Sequence, residues 1–275
     1  IDYKLYRFNG KNVCFRGPPY EEVFADASKS KTVAFIGAAQ ILGRFCPRPL
    51  TDIVAEETDW KALNFGFGGA SPRLFLSLGA PFFDVLNRCD LVVVQFMSAR
   101  AAPNNWLRVR QPINPNMVTI GADPGEEVFV NEGWKRLLDT LTARQFEQAI
   151  IQTQNNYCRQ MEELLGNIKT RKALMWYSER SADYQMSYSH WNKVLGGFPQ
   201  MVQPHMVERL KPFADAYLEV ISTVGRPHMV YSRFDGSAPP LFPHRPEPNE
   251  NYYYPTPEMH VEASRVVKAY LETLA

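Results

Sequence analysis

Short apolar runs closed by turn residues recur along the chain, and stretches with helical spacing lie between them. The runs at 32–37 (TVAFIG), 62–66 (ALNFG), 91–97 (LVVVQFM), 173–178 (ALMWYS) and 217–222 (YLEVIS) read as strands, since each is brief and almost continuously apolar. Helical spacing predicts helices over 50–57, 73–78, 81–88, about 142–168 and 204–213. The last helix has the clearest signature. Thr256 stands as a cap before Pro257 at the first helical position, and Met259, Ala263, Val266, Val267, Tyr270 and Leu274 follow on one face. Continuous apolar runs alternating with helices specify a parallel sheet covered on both sides. With right-handed crossovers, the expected fold is α/β, a three-layer αβα flavodoxin-like arrangement of five parallel strands in the order 2-1-3-4-5, with 32–37 central.

Two stretches carry no regular pattern. Residues 99–130 hold Asn-Pro and Gly signals, and 232–254 carry Pro239, Pro240, Pro243, Pro246 and Pro248. Long loops at the carboxyl ends of parallel strands are where doubly wound folds place ligands, so the site is expected there. No internal repeat, low-complexity tract or linker between two cores is visible. Residues 1–275 are therefore expected to form one domain, with 1–31 as an appended arm holding a short strand around 12–15.

Composition narrows the function classes. Of 275 residues, 45% are hydrophobic and 21% charged, which fills a globular core and excludes disorder. Thirty Lys and Arg against 29 Asp and Glu leave a formal charge of +1, without the electrostatic footprint of a nucleic-acid or polybasic membrane binder. No run of about 18 apolar residues spans a bilayer, and the opening IDYKLYRFNGKN lacks the apolar region of a secretory signal. Cys14, Cys46, Cys89 and Cys158 lie far apart, as do His190, His205, His228, His244 and His260. Reduced thiols in a cytoplasmic protein are expected, with no metal and no cofactor. Homo-oligomerisation is left open.

The most informative segment is the turn after the first strand, Gly37-Ala38-Ala39-Gln40-Ile41-Leu42-Gly43. It can present a side chain or backbone N–H groups at the sheet edge, but it has neither the Walker lysine nor a G-x-G-x-x-G pattern. A tight turn packing helix on sheet would read the same way.

The spacing of Gly37 and Gly43 resembles the first block of the SGNH (GDSL-type) hydrolases, Gly-Asp-Ser-x-Thr-x-Gly. Asn64-Phe65-Gly66-Phe67-Gly68-Gly69-Ala70 resembles the second block, which implies an oxyanion-hole N–H at Gly68 or Gly69. Residues 91–97 followed by Ser98-Ala99-Arg100-Ala101 fall where the third block, Gly-x-Asn-Asp, would lie. The tail from Asn251 to His260 resembles the block that supplies the triad Asp and His. Taken together with Phe15-Arg16-Gly17-Pro18, Met175 to Ser178 and Val202 to Val220, these segments resemble an uncharacterised bacterial family with an SGNH-like core. The superfamily includes esterases and acyltransferases acting on polysaccharides.

Against that pattern the nucleophile position is Ala39, the preceding Asp is Ala38 and the third-block Asn is Arg100; the triad Asp is Asn251 and the triad His is Tyr254. Alanine cannot attack an ester, and neither Asn nor Tyr replaces the orienter and base, so the hydrolytic triad reads as absent. Backbone donors at Gly68 and Gly69 do not depend on side chains.

Arginines dominate what remains: Arg44 and Arg48 after the first strand, Arg73 after the second, Arg100, Arg108 and Arg110 after the third, then Arg180, Arg233 and Arg245. Most are expected to be solvated. Arg100 differs because it stands at a strand end with no acidic residue in 98–106, so an anion is expected beside it. The expected ligand-binding residues are Gly37, Ala39, Gln40, Gly68, Gly69, Ser98, Asn104, Asn105 and Tyr254, with Trp106, Trp191, Tyr252 and Tyr253 offering aromatic faces. His260, then Glu258, are the expected general bases, with Arg100 as anion clamp; Ser178, Glu179 and Asp183 form a further polar cluster.

Three functions fit these residues. One is binding or modification of a small anionic or glycan-like ligand without hydrolysis. Another is acyl or sulfuryl transfer or ester hydrolysis at a rearranged site, and the third is a protein-interaction face built on the two long loops.

Overall fold

Alternate residues of the central strand serve two different cores. In the computed structural model, which describes residues 3–111, 116–121, 125–232, 234–241 and 247–274, the elements run as follows. The chain opens with β1 (Leu5–Arg7), β2 (Cys14–Arg16), α1 (Tyr20–Ala25), β3 (Lys31–Gly37), α2 (Ala39–Leu42), α3 (Leu50–Glu57) and β4 (Trp60–Gly66). It continues through α4 (Pro72–Leu78), α5 (Ala80–Leu86), β5 (Leu91–Gln95), β6 (Leu107–Arg108), β7 (Met117–Ile120), β8 (Glu126–Phe129), α6 (Val130–Thr140) and α7 (Ala143–Asn167). The last part holds β9 (Arg171–Ser178), α8 (Trp191–Leu195), α9 (Pro204–Leu210), β10 (Ala216–Ile221), β11 (His228–Met229), β12 (Glu250–Asn251) and α10 (Pro257–Glu272). Arg233, Pro243, His244, Arg245 and Pro246 lie outside the described residues.

In β3, Val33 and Phe35 pack with Leu50 and Val54 of α3 and Met259, Ala263 and Val267 of α10. Ala34 and Ile36 face the opposite core, which takes Phe75 of α4, Phe82 of α5 and Leu164 of α7. Strand side chains alternate in direction, so a run apolar at every position is the sequence of a strand covered on both faces. The result is a mixed α/β fold with a mainly parallel central sheet between helical layers. No helix of the described residues is long and apolar enough to cross a membrane.

The expected five-stranded sheet is corrected to seven strands, in the order β1-β2-β4-β3-β5-β9-β10. Pairing is parallel along β4, β3, β5, β9 and β10, whereas β1 and β2 add antiparallel strands through the contact of Arg16 with Asn64. Residues near the N-terminus thus extend the sheet. Burial of Phe8 and Phe15 drives this, with ring centroids 5.5 Å from Phe82 and 5.0 Å from Phe65 respectively.

The expectation of no regular structure over 99–130 is also corrected. β6, β7 and β8 form an antiparallel three-stranded sheet whose Leu107, Val118 and Val128 are buried, and α6 follows directly. Strands of two to four residues carry too few alternations to stand out in sequence. In the proline-rich stretch, β12 pairs with β11. At the start of α7, Thr142 Oγ1 accepts from the Gln145 N–H while Gln145 Oε1 accepts from the Thr142 N–H, a complete capping box. At α10, Thr256 Oγ1 accepts from the Met259 N–H at 3.1 Å, with Pro257 in the first turn.

Candidate functional site

The parallel strands β3, β4 and β5 end together, and beyond their carboxyl ends lies a cleft of about 140 Å³. Close packing of the first turn fixes its floor. A Cβ on Gly37 would lie 2.4 Å from both Gln95 Oε1 and Ile41 Cγ1, so only glycine lets β3 turn against β5. Gln95 Oε1 accepts from the Ala38 N–H at 2.9 Å, which leaves Ala39 and Gln40 as cleft wall. Asn64 ties α2 down by donating to the Ile41 carbonyl and to Thr51 Oγ1, while its own oxygen accepts from the Gly66 N–H.

Gly68 and Gly69 form a second wall. Gly69 has φ +77° and Asn116 beside it, so a side chain there would be strained as well as crowded. The N–H groups of Ala39, Gly68 and Gly69 have no partner among the described residues. Ser98 and Arg100 follow β5, and Tyr253 and Tyr254 enter from the segment before α10. Gln200 joins two of these walls: its N–H donates to Ser98 Oγ, its Oε1 accepts from that hydroxyl, and its Nε2 donates to Tyr253 Oη.

The cleft is cationic. Arg100 is held by Asn131 Oδ1 at 3.0 Å and Asn116 Oδ1 at 2.9 Å, and its carbonyl accepts from Trp134 Nε1. Burial pulls its guanidinium below the ordinary arginine range. Arg44 lies over the Tyr254 ring at 4.9 Å and over Phe45 at 5.1 Å, and its Nε is buried without a partner among the described residues. Burial raises the Tyr254 hydroxyl, and both arginines oppose that shift. Among the described residues no carboxylate lines the cleft and none pairs with Arg44 or Arg100.

Ala39, Gln40, Gly68, Gly69, Ser98, Arg100 and Tyr254 thus meet in one cleft, as their places at the strand ends predict. Gly37 does not reach it, being covered by Gln95 and Ile41. Asn104 is corrected to a structural role: its oxygen accepts from the Trp106 and Leu107 N–H groups and its amide donates to Thr153. With Asn105 it borders a separate groove beside Gln152.

His260 is the main correction. It is fully buried between α3 and the sheet, its Nδ1 accepting from the Leu50 N–H and its ring 5.8 Å from Tyr177. Burial pushes its pKa down to about 3, so it is a neutral packing group away from the cleft. Glu258 is exposed on the first turn of α10, beside Gly225. Residence on a helix's first turn says nothing about which face a side chain takes. Of the other arginines, Arg48 pairs with Glu56 and Glu57, Arg108 donates to the Gly121 carbonyl, and Arg180 is spent on the carbonyls of Ser181, Gly197, Pro199 and Val202. Arg73 and Arg110 do not line the cleft. Ser178 donates to the Phe198 carbonyl, Glu179 pairs with Arg226, and Asp183 accepts from Ser181, so that cluster holds loops together. Asn251, fully buried, accepts from the Tyr253 and Tyr254 N–H groups and donates to the Tyr254 carbonyl, shaping the turn that delivers Tyr254. Asn116, Asn131 and Gln200 escaped the sequence reading, because only tertiary folding brings them to Arg100 and Ser98.

A pH effect follows from His260. Its folded pKa lies below the ordinary 6.5, so the unfolded chain binds the extra proton between about pH 6.5 and 3. The stability tied to the neutral ring is fully present above pH 6.5 and is lost as pH falls, by up to a few kcal/mol. His260→Gln, whose amide oxygen can still accept from Leu50, should show a flatter decline in urea-unfolding stability over that window. Parallel curves for the two proteins would refute this.

No curated protein matches the sequence. Several solved structures are similar. A carbohydrate esterase family 2 enzyme with a carbohydrate binding domain from Corynascus thermopiles (Myceliophthora fergusii) matches at TM-score 0.45 and 11% identity, over 90% of this chain and 68% of that one. A family two carbohydrate esterase from Clostridium thermocellum, in complex with cellohexaose, gives TM-score 0.44 and 9% identity over 90% and 65% of the two chains. A candidate SGNH hydrolase from Slackia heliotrinireducens gives TM-score 0.41 and 15% identity over 88% and 98%. One family model spans nearly the whole sequence, matching residues 1–120 and 129–274, and the chain belongs to that family, the Domain of unknown function (DUF6473).

Proposed function

We propose that this protein uses an SGNH-like cleft to bind a polar, anionic ligand and does not hydrolyse esters through a Ser-His-Asp triad. The observation that carries the reading is Arg100, a half-buried guanidinium fixed by two neutral amides with no carboxylate partner among the described residues. A desolvated charge is costly until a counter-charge meets it, and an arginine already oriented loses little further freedom on binding. Backbone N–H groups with no partner among the described residues, the second Gln200 amide hydrogen and the Tyr253 hydroxyl suit a hydroxylated ligand such as a sugar derivative.

Absence of hydrolysis is read from Ala39, Asn251 and Tyr254 at the positions that the superfamily gives to its triad. The alternative, group transfer with His260 as base, lacks support because that ring is buried away from the cleft. Titrating acetate, D-glucuronate, sulfate and phosphate by calorimetry tests the binding claim. At least one should bind, and Arg100→Ala should weaken it by about 1.5–3 kcal/mol, the range of a hydrogen bond to a charged group. Equal affinities for wild type and variant would reject it. Nitrophenyl esters should not turn over with either wild type or Ala39→Ser, since the variant still has no base or orienter. Hydrolysis blocked by a serine-directed inhibitor would contradict this.

A further inference from the structure

The charge balance of the cleft says more about its ligand than Arg100 alone. Arg44 reaches it from the segment after α2, Arg100 from the end of β5, and Tyr254 lies beside both. The Asn116 and Asn131 oxygens orient Arg100 but carry no neutralising charge. Arg44 has the faces of Phe45 and Tyr254, which attract a cation weakly, and its Nε meets no acceptor among the described residues. Two like charges therefore share about 140 Å³ without an acidic side chain in the wall among the described residues.

Building on the proposed anion-binding role, we infer that the ligand presents a phosphate monoester, clamped between Arg44 and Arg100, with its hydroxylated body against Ser98 and Gln200. A carboxylate or a sulfate ester brings one negative charge and leaves the pair half compensated. A phosphate monoester above its second pKa, about 6, brings nearly two, with three acceptor oxygens that match guanidinium forks. The cleft has room for a phosphoryl group and a small attached body. Neutral hydroxyl and amide groups suit the uncharged part of such a molecule.

Methyl phosphate and methyl sulfate separate the two ideas, because they share a tetrahedral shape and differ in charge. In calorimetry at about pH 8, wild type should bind methyl phosphate roughly tenfold or more tightly than methyl sulfate. Lowering the pH to about 5 should erase that advantage as the second proton returns, leaving methyl sulfate binding unchanged. Arg44→Met, which keeps a side chain of similar length on Tyr254, should lose the preference, and Arg44→Lys should restore part of it. Equal affinities for the two esters at about pH 8, or a preference that survives in folded Arg44→Met, would overturn the clamp. The wild-type pH series stands even if that variant fails to fold. If neither ester binds wild type, or if Arg100→Ala binds both as wild type does, it is the underlying anion-binding reading that fails.

Discussion

Arg16→Met is expected to destabilise the protein by about 3–5 kcal/mol, the cost of breaking a buried charge network. Arg16 is only 7% exposed, and its guanidinium binds the carbonyls of Leu42, Gly43, Cys46 and Pro47 at 2.6–3.3 Å. Asp52 lies 3.6 Å away and the Tyr3 ring 4.5 Å. Methionine fills similar space but donates nothing, so several buried carbonyls lose their partner at once, each at about 1–3 kcal/mol less what water recovers. A fall in melting temperature of roughly 6–15 °C should follow. Arg16→Lys should recover part of it through its charge and a few of the contacts. A fall of less than about 2 °C would show that the carbonyls find other partners. The same carbonyls belong to the segment that carries Arg44, so the variant should also lose anion affinity.

The second large effect is expected at Gly66. An added Cβ would lie 2.1 Å from Leu42 N and 2.6 Å from Ile41 C, both backbone atoms that cannot rotate aside. Gly66→Ala must therefore push α2 off β4, at a cost of about 3 kcal/mol or more. Because α2 and the residues after it carry Gln40 and Arg44, anion binding should fall with stability. Gly68→Ala supplies the control. Among the described residues nothing beyond its chain neighbours lies within 4 Å of a Cβ added there, so its stability should stay within about 0.5 kcal/mol of wild type. Equal urea midpoints for Gly66→Ala and wild type would show that the helix can shift without loss.

The parallel strands were legible because burial on both faces writes an unbroken apolar run, as in Val33 to Ile36, and α10 because Thr256 and Pro257 mark its start. Of the short edge strands, the one expected around 12–15 is found at Cys14–Arg16, whereas Leu5–Arg7 carries no pattern of its own; both join the sheet because Phe8 and Phe15 reach the distant Phe65 and Phe82. The site divides in the same way. Gln40, Gly68, Ser98 and Arg100 follow strand ends, where topology predicts a ligand. Gln200 and Asn116 come from loops whose approach only tertiary packing decides. His260 misled for a related reason: a histidine next to a motif is chemically suggestive, but its burial beneath Leu50 is a property of the packed layers.

The proposed function stands or falls on whether an anion is held at Arg100. Selenate, a tetrahedral dianion with an anomalous signal, tests it directly by diffraction from crystals soaked at low millimolar concentration. Selenate density is expected with an oxygen about 3 Å from a side-chain nitrogen of Arg100, while the bonds to Asn116 and Asn131 persist. Selenate found only at surface sites, with none at Arg100, would contradict it.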